Sequence, residues 1–400
     1  MRTIPSELVD EIIDRLASAL LAGYPPAPWG LPHTDWIHTM GTLGFVCSEW
    51  YPRSRHHLFT AVQLRPGNIR SLFAIADRSN CDLLSFIQTL HLRFSTGASP
   101  PLLEESQLRR LGRSCRTLDA VWMWVGYSGT AWREIFRPYS FLESHAAILG
   151  STAPLLSCLT VTFYDLPLPL SVVLKVASSL PALETLRLFG EELGLGDNPA
   201  ISSFPRIRTF RSTILRSSLE GFFGALITLP RSPLLETISL EYMDGDLDSS
   251  IAKYFRRYGD AVQHLEVNDM SRLPSSGHGS SVTKLALQQT PNLLTLALKG
   301  DVTPLLDIMS AIASNKLTSI RVESTIYWSN QPPIPWSSID ALLSRERFTA
   351  LRVFQVTALD NFEMSDLSTM DAAVDFTRLW EVRQAMPLAV ARGILPAVEE

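Results

Sequence analysis

The sequence predicts a mixed α/β chain in which a short trihelical module precedes an elongated array of strand–helix units, the strands forming a parallel sheet and the helices lining its outer face. Three observations carry this expectation. An eight-residue frame, Pro-x-Leu-x-x-Leu-x-Leu, recurs beyond residue 60. Helix-period stretches separate its copies. The residues before the first copy hold apolar side chains at helical spacing instead.

Close copies of the frame start at Pro154, Pro181, Pro205, Pro233 and Pro291, and degenerate copies at Ser85, Arg116, Asp260, Asn315 and Thr349. Adjacent starts lie 24 to 38 residues apart, near the roughly 20 to 29 residues of leucine-rich repeats, with insertions in several units. The closing Leu-x-Leu alternates apolar and variable residues, as a half-buried strand does. Helical patterns follow at Leu168 to Leu180, Leu219 to Leu229, Ile251 to Tyr258, Leu305 to Ala313 and Ile339 to Leu343. Strand, helix, strand implies a parallel sheet with helices on one side, hence an irregular leucine-rich-repeat solenoid over residues 63–360. Its leucines are core, each contributing about 1.5 to 3 kcal/mol on full burial.

The variable residues of the strands then face the open, concave side: Thr160, Arg187, Arg211, Ser239, Glu266, Ala297, Arg321 and Gln355. Their mixed chemistry suits a protein partner better than a small molecule and does not suggest a ligand of one charge. The Asn or Cys that follows the strand in regular repeats is replaced by Glu191, Met243 and Asp301 in three good copies. Residues 361–400, with helical patterning around Phe376, Leu379, Trp380 and Val382 and then Arg392-Gly-Ile-Leu395, read as the cap a repeat array needs at an open end.

Residues 1–62 read differently. Pro5 suits a first helical position, and Leu8, Val9, Ile12, Ile13, Leu16 and Leu20 form one apolar face behind it. The proline-rich stretch Gly23 to Pro32 breaks the helix. A second helix restarts at Thr34 or Asp35, carries Trp36, Met40, Leu43, Cys47 and Trp50 on one stripe, and ends at Pro52. Arg53 to Phe59 form a third short helix and Ala61 to Arg65 a strand. Three helices in about sixty residues make a marginal core, so a partner or a neighbouring element completes it.

Ile4-Pro5-x-Glu7-Leu8-Val9-x-x-Ile12-Ile13-x-x-Leu16, then Leu43-x-x-Val46-Cys47-x-x-Trp50 and Pro52-Arg-Ser-Arg55 before Leu58-Phe59, resembles the F-box-like motif as it appears in large fungal families of F-box proteins. The resemblance covers roughly residues 3 to 60. It implies a motif that docks on the adaptor subunit of cullin-type (SCF-like) ubiquitin ligases while the rest of the chain captures the protein to be ubiquitinated. By resemblance, Ile4, Pro5, Leu8, Val9, Ile12, Val46 and Trp50 hold the adaptor or the trihelical core. The long proline-rich loop, and Ser48-Glu49 before the tryptophan, depart from the family pattern.

Composition narrows the remaining classes. Hydrophobic residues are 46% and charged residues 19% of the 400, enough for a large core and unlike a disordered chain. A formal net charge of -5 lacks the basic excess of a nucleic-acid surface, so no nucleic-acid partner is expected. No apolar run is long enough for a membrane span, so no membrane partner is expected either. Glu7, Asp10, Glu11, Asp14 and Arg15 interrupt the first apolar segment, which argues against a cleaved signal. Cys47, Cys81, Cys115 and Cys158 lie far apart with no metal-ligand spacing, and no Asn-x-Ser/Thr sequon occurs, which fits cytoplasm or nucleus.

No metal, cofactor or catalytic residue is expected. Asp244-Gly-Asp246-Leu-Asp248 opens like a calcium loop but has Phe255 where the bidentate Glu belongs. Gly194-Leu-Gly196 is a turn without a third glycine. His56 and His57 are adjacent, diverge on a helix and read as surface residues, and Cys47 reads as a buried, inert thiol. No Gly-x-Ser-x-Gly, HExxH or phosphate-binding loop occurs. The expectation is therefore a non-catalytic ligase specificity subunit. The competing class is a repeat scaffold whose first helices merely cap the array.

Overall fold

The computed structural model describes residues 6–23, 34–43, 50–64, 68–78, 82–95, 103–126, 138–163, 168–190, 193–194, 204–214, 216–229, 232–241, 247–269, 281–300, 305–324, 334–358, 374–375 and 380–396. The chain is mixed α/β and divides into two compact units: Met1–Leu166 with Val172–Leu183, and Pro167–Ser171 with Glu184–Glu400.

The first unit opens with three helices, α1 (Ser6–Gly23), α2 (Thr34–Leu43) and α3 (Tyr51–Thr60). Strand β1 (Ala61–Leu64), α4 (Ile69–Arg78), a single 3-10 turn at Leu83–Phe86, β2 (Thr89–Ser95), α5 (Glu105–Ser114), β3 (Ala120–Gly126), α6 (Pro138–Thr152) and β4 (Cys158–Phe163) follow. The four strands pair in sequence order, all parallel. Pro52, expected to end the second helix, instead lies in the first turn of α3, where its missing N–H leaves no bond unmade. The expected helix start at Pro5 and the proline-rich stretch beyond Gly23 lie outside the described residues.

The chain then passes through β5 (Leu168–Pro169) and α7 (Leu170–Ser178). The second unit continues with β6 (Thr185–Gly190), β7 (Leu193–Gly194), β8 (Thr209–Ser212), α8 (Arg216–Thr228), β9 (Thr237–Leu240), α9 (Ser250–Tyr258) and β10 (His264–Asp269). After it come α10 (Ser281–Gln288), β11 (Thr295–Gly300), α11 (Leu305–Ser310), β12 (Ser319–Ser324), α12 (Trp336–Leu343), β13 (Val353–Ala358), β14 (Val374–Asp375), α13 (Trp380–Ala385) and α14 (Pro387–Ala391). Within this unit β6, β8, β9, β10, β11, β12 and β13 pair parallel in that order, β14 closes antiparallel on β13, and β5 pairs with β7 apart from them.

Every recurring frame ends in one of these parallel strands. The third, sixth and eighth residues of each frame are buried, none more than 8% exposed. The fourth residue makes the stacking bond. The Gln88 carbonyl accepts from the N–H groups of Asp119 and Ala120, and that of Asp119 from Ser157 and Cys158. In the second unit the same two-donor pattern runs through Glu184, Arg208, Glu236, Gln263, Leu294 and Thr318, at 2.7 to 3.3 Å. Backbone groups just ahead of each strand are thus satisfied by the neighbouring repeat.

Helices on the covered face pack with their sequence neighbours, α5 on α6 and α8 through α12 in succession. Two glycines set the closeness. A Cβ on Gly150 would collide with the Ser179 carbonyl, and one on Gly259 with the Gln289 carbonyl. In the second unit Phe210 and Phe222 stack with ring centroids 4.4 Å apart, and Phe223 meets Phe210 and Tyr254 edge to face. The Tyr254 hydroxyl donates to the Pro233 carbonyl at 2.9 Å and accepts from the Leu235 N–H at 3.1 Å, tying a helix to the frame ahead of it.

After β14, α13 and α14 pack on α12. The Asp340 carboxylate accepts from the N–H groups of Leu388 and Ala389 at 3.0 and 2.8 Å, filling the open donors of the first turn of α14. Arg392 donates to the carbonyls of Leu343 and Phe348, and the Phe354 N–H to the Ile394 carbonyl. Val382 is buried, Trp380 is exposed, and Phe376 and Leu379 lie outside the described residues.

Truncating Phe210 to Ala removes a ring that is fully buried between Phe222 and Phe223. Urea unfolding followed by circular dichroism is expected to show a loss of about 3–5 kcal/mol. A loss under about 1 kcal/mol would mean that this aromatic series does not hold the repeats together.

Candidate functional site

Two surfaces carry side chains that packing alone does not account for. The first is on the N-terminal helices. The apolar face predicted for α1 splits in two. Val9, Ile13 and Ala17 are buried with Met40, and Leu43, Trp50 and Leu58 pack against them. Leu8, Ile12 and Leu16, one helical step round, are 50%, 39% and 39% exposed. The expected apolar face is present at the expected spacing, and it is wider than the two small helices beneath it can cover. Of the expected adaptor-binding residues, Val9 is core, Trp50 is partly buried against it, Leu8 and Ile12 are exposed, and Ile4, Pro5 and Val46 lie outside the described residues.

Asp14 fixes α1 to α3. Its carboxylate accepts from the Arg53 Nε and Nη2 groups at 2.7 and 2.6 Å and lies 2.7 Å from the His57 Nε2 atom. The Arg53 hydrogen bond, with help from His57 and against partial desolvation, lowers the Asp14 pKa to about 2. His56 and His57 are half-buried rather than free on the surface. Their rings do not diverge as expected but meet edge to face with centroids 5.5 Å apart, while His57 also reaches Asp14 and His56 sets its ring edge-on to Phe86 at 5.3 Å. A carboxylate 43 residues away supplies the partner that spacing along one helix could not reveal.

The second surface is the sheet face opposite the helices. The seventh residues of the frames stand in register there: Arg187, Arg211, Ser239, Glu266, Ala297, Arg321 and Gln355 on consecutive strands of the second unit. Arg187, Arg211 and Arg321 are exposed, as predicted. Ser239 is only 6% exposed, and its hydroxyl donates to the Glu266 carboxylate at 2.9 Å, so it supports that carboxylate from beneath. Lys299 lies 3.2 Å from both Glu266 and Glu323 and links them. Burial pushes the Glu266 pKa up, but the Ser239 hydrogen bond and the Lys299 ammonium outweigh it and leave the group below the ordinary glutamate value. Lys299 and Glu323 occupy the ninth position, one residue beyond the frame, and were not among the expected contacts.

The corresponding row of the first unit is closed. His91, Trp122 and Thr160 are in register and 4%, 9% and 3% exposed. Thr160 is therefore not a free contact residue. Its register neighbours are aromatic, and the degenerate frames that supply them gave no warning of burial on this side. The His91 ring stacks on Trp122 at 5.3 Å, and the Trp122 indole N–H donates to the Thr162 hydroxyl at 2.7 Å. The His91 Nε2 atom has no hydrogen-bond partner, and desolvation holds the pKa down at about 4.

Among the described residues no group of His, Cys, Asp and Glu is arranged to hold a metal, and no helix is long and apolar enough to cross a membrane. Cys115 is buried, and desolvation raises the thiol pKa to about 12, leaving it a poor nucleophile at neutral pH. Most of the calcium-like loop, Gly196, Cys47 and Cys81 lie outside the described residues, as do Glu191, Met243 and Asp301. No protein family matches the chain in a family comparison, and no curated protein matches it.

Because the folded pKa of His91 lies below the usual 6.5, the folded chain holds fewer protons than the unfolded one between those values. Stability is full above pH 6.5 and falls as the pH drops toward 4. His91→Phe keeps the stack on Trp122 and removes the titration. Between pH 7 and 4.5 the wild type is expected to lose on the order of 2 kcal/mol more than the variant. Parallel urea curves for the two proteins over that range would show instead that His91 protonates without cost.

Proposed function

We propose that the chain is a non-catalytic substrate-recognition subunit of a cullin-type ubiquitin ligase, with its N-terminal helices as the F-box-like adaptor contact and its repeat sheet as the substrate contact. The observation that supports this most is the outward stripe of Leu8, Ile12 and Leu16 on α1. An isolated trihelical module keeps apolar side chains in water only at a cost, and a continuous stripe of them marks a surface that another chain covers. A helix acting only as a cap for the array would turn that stripe inward, so its exposure weighs against the scaffold reading. Of the motif residues quoted above, Leu8, Val9, Ile12, Ile13 and Leu16 lie on this helix and Leu43, Trp50 and Leu58 pack beneath it, and the sheet face carries charged side chains where substrate selection belongs in such a subunit.

Leu8→Asp/Ile12→Asp alters two exposed positions and is expected to leave the fold intact within about 1 kcal/mol. When the chain is co-expressed with the ligase adaptor subunit, wild type should retain the adaptor through purification and the double variant should lose it. Circular dichroism of both proteins separates lost binding from lost folding. A folded wild type that retains no adaptor would favour a repeat scaffold without a ligase role.

A further inference from the structure

The arginines of the sheet face are not evenly spread. Arg187 and Arg211 sit on adjacent parallel strands at the same register, so their Cα atoms are about 4.8 Å apart. Both side chains are exposed, and neither makes a hydrogen bond or ion pair among the described residues. Like charges directly opposite one another weaken a sheet, so the pair brings no stability of its own. Arg321 is also exposed and unpaired, four strands from Arg211, or about 19 Å along the row. Three carboxylates share this face: Glu266 is held by Ser239 and Lys299, Glu323 by Lys299, and Glu241, two residues beyond Ser239, by a Thr213 hydrogen bond. Among the described seventh and ninth residues of these strands, four cations, Arg187, Arg211, Lys299 and Arg321, outnumber the three carboxylates, although Arg211 also helps hold Glu266 ionised, and this excess stands on a chain whose formal net charge is -5.

We propose that Arg187 and Arg211 form an anchoring subsite for an extended acidic protein segment, each guanidinium taking one Asp or Glu carboxylate, with Arg321 receiving a further carboxylate about six residues along. An extended chain rises about 3.3 Å per residue, which gives that interval. Planar guanidinium groups match carboxylates bidentately. The nearby Glu266 carboxylate favours singly charged groups over a dianionic phosphate. The inference rests on reading the sheet face as the substrate contact and is independent of adaptor binding.

Fluorescence anisotropy of the full chain with a labelled peptide of alternating Glu and Gly tests it. Binding should weaken with salt and fall about tenfold or more in Arg187→Glu/Arg211→Glu. Arg256→Glu/Arg257→Glu, which makes the same charge change at exposed positions of α9, should bind within about twofold of wild type. Folding of each variant is checked by circular dichroism. No binding by wild type, equal loss in both double variants, or binding only to a phosphoserine peptide or to an oligonucleotide would overturn the proposal. Adaptor capture measured on the same preparations shows whether such a failure touches only this inference or the ligase reading as well.

Discussion

The structure depends on a carbonyl shared at the entrance to each strand. The fourth residue of a frame accepts two N–H groups from the fourth and fifth residues of the next frame in its unit, at the point where the two strands begin to pair. The bond fixes where each strand starts. Alternation along the strand then fixes which side chains go inward: the sixth and eighth residues join the third in the core, and the seventh goes to the other face. One shared acceptor per repeat thus orders both the packed side and the open side.

Most of this was legible in the sequence because the frame is a packing requirement with fixed spacing. The ten frames, the strands that end them and the helices at α7, α8, α9, α11 and α12 can be read from leucine positions alone. Register across strands follows too, since within each unit a seventh residue meets the seventh residue of the next frame. What side chains do on the open face follows no such period. Whether Thr160 or Ser239 is accessible depends on the bulk of Trp122 and the reach of Glu266, which belong to neighbouring repeats. Lys299 joins two carboxylates on different strands, and nothing in its own stretch of sequence points to that.

The N-terminal helices show the same boundary between what is local and what is not. Helical spacing gives an apolar face on α1, but its division into a buried stripe at Val9, Ile13 and Ala17 and an open one at Leu8, Ile12 and Leu16 depends on how much α2 and α3 can cover. Asp14 looks like one more surface acid on a polar face. Its place as the tie to Arg53 and His57 appears only when α3 folds back on α1. Small modules leave such residues ambiguous, since a few side chains decide the whole interface.

The shared carbonyl has a further consequence for how such an array can vary. Frame starts are separated by anything from 24 to 38 residues, yet the strands within each unit remain in step. Each repeat resets the register for itself, so differences in linker length do not accumulate along the chain. A linker can lengthen without shifting the row of seventh residues on the far face. Residues on the open face and residues that hold the stack can then change independently, and the face can be rewritten one strand at a time while the scaffold beneath it stays the same.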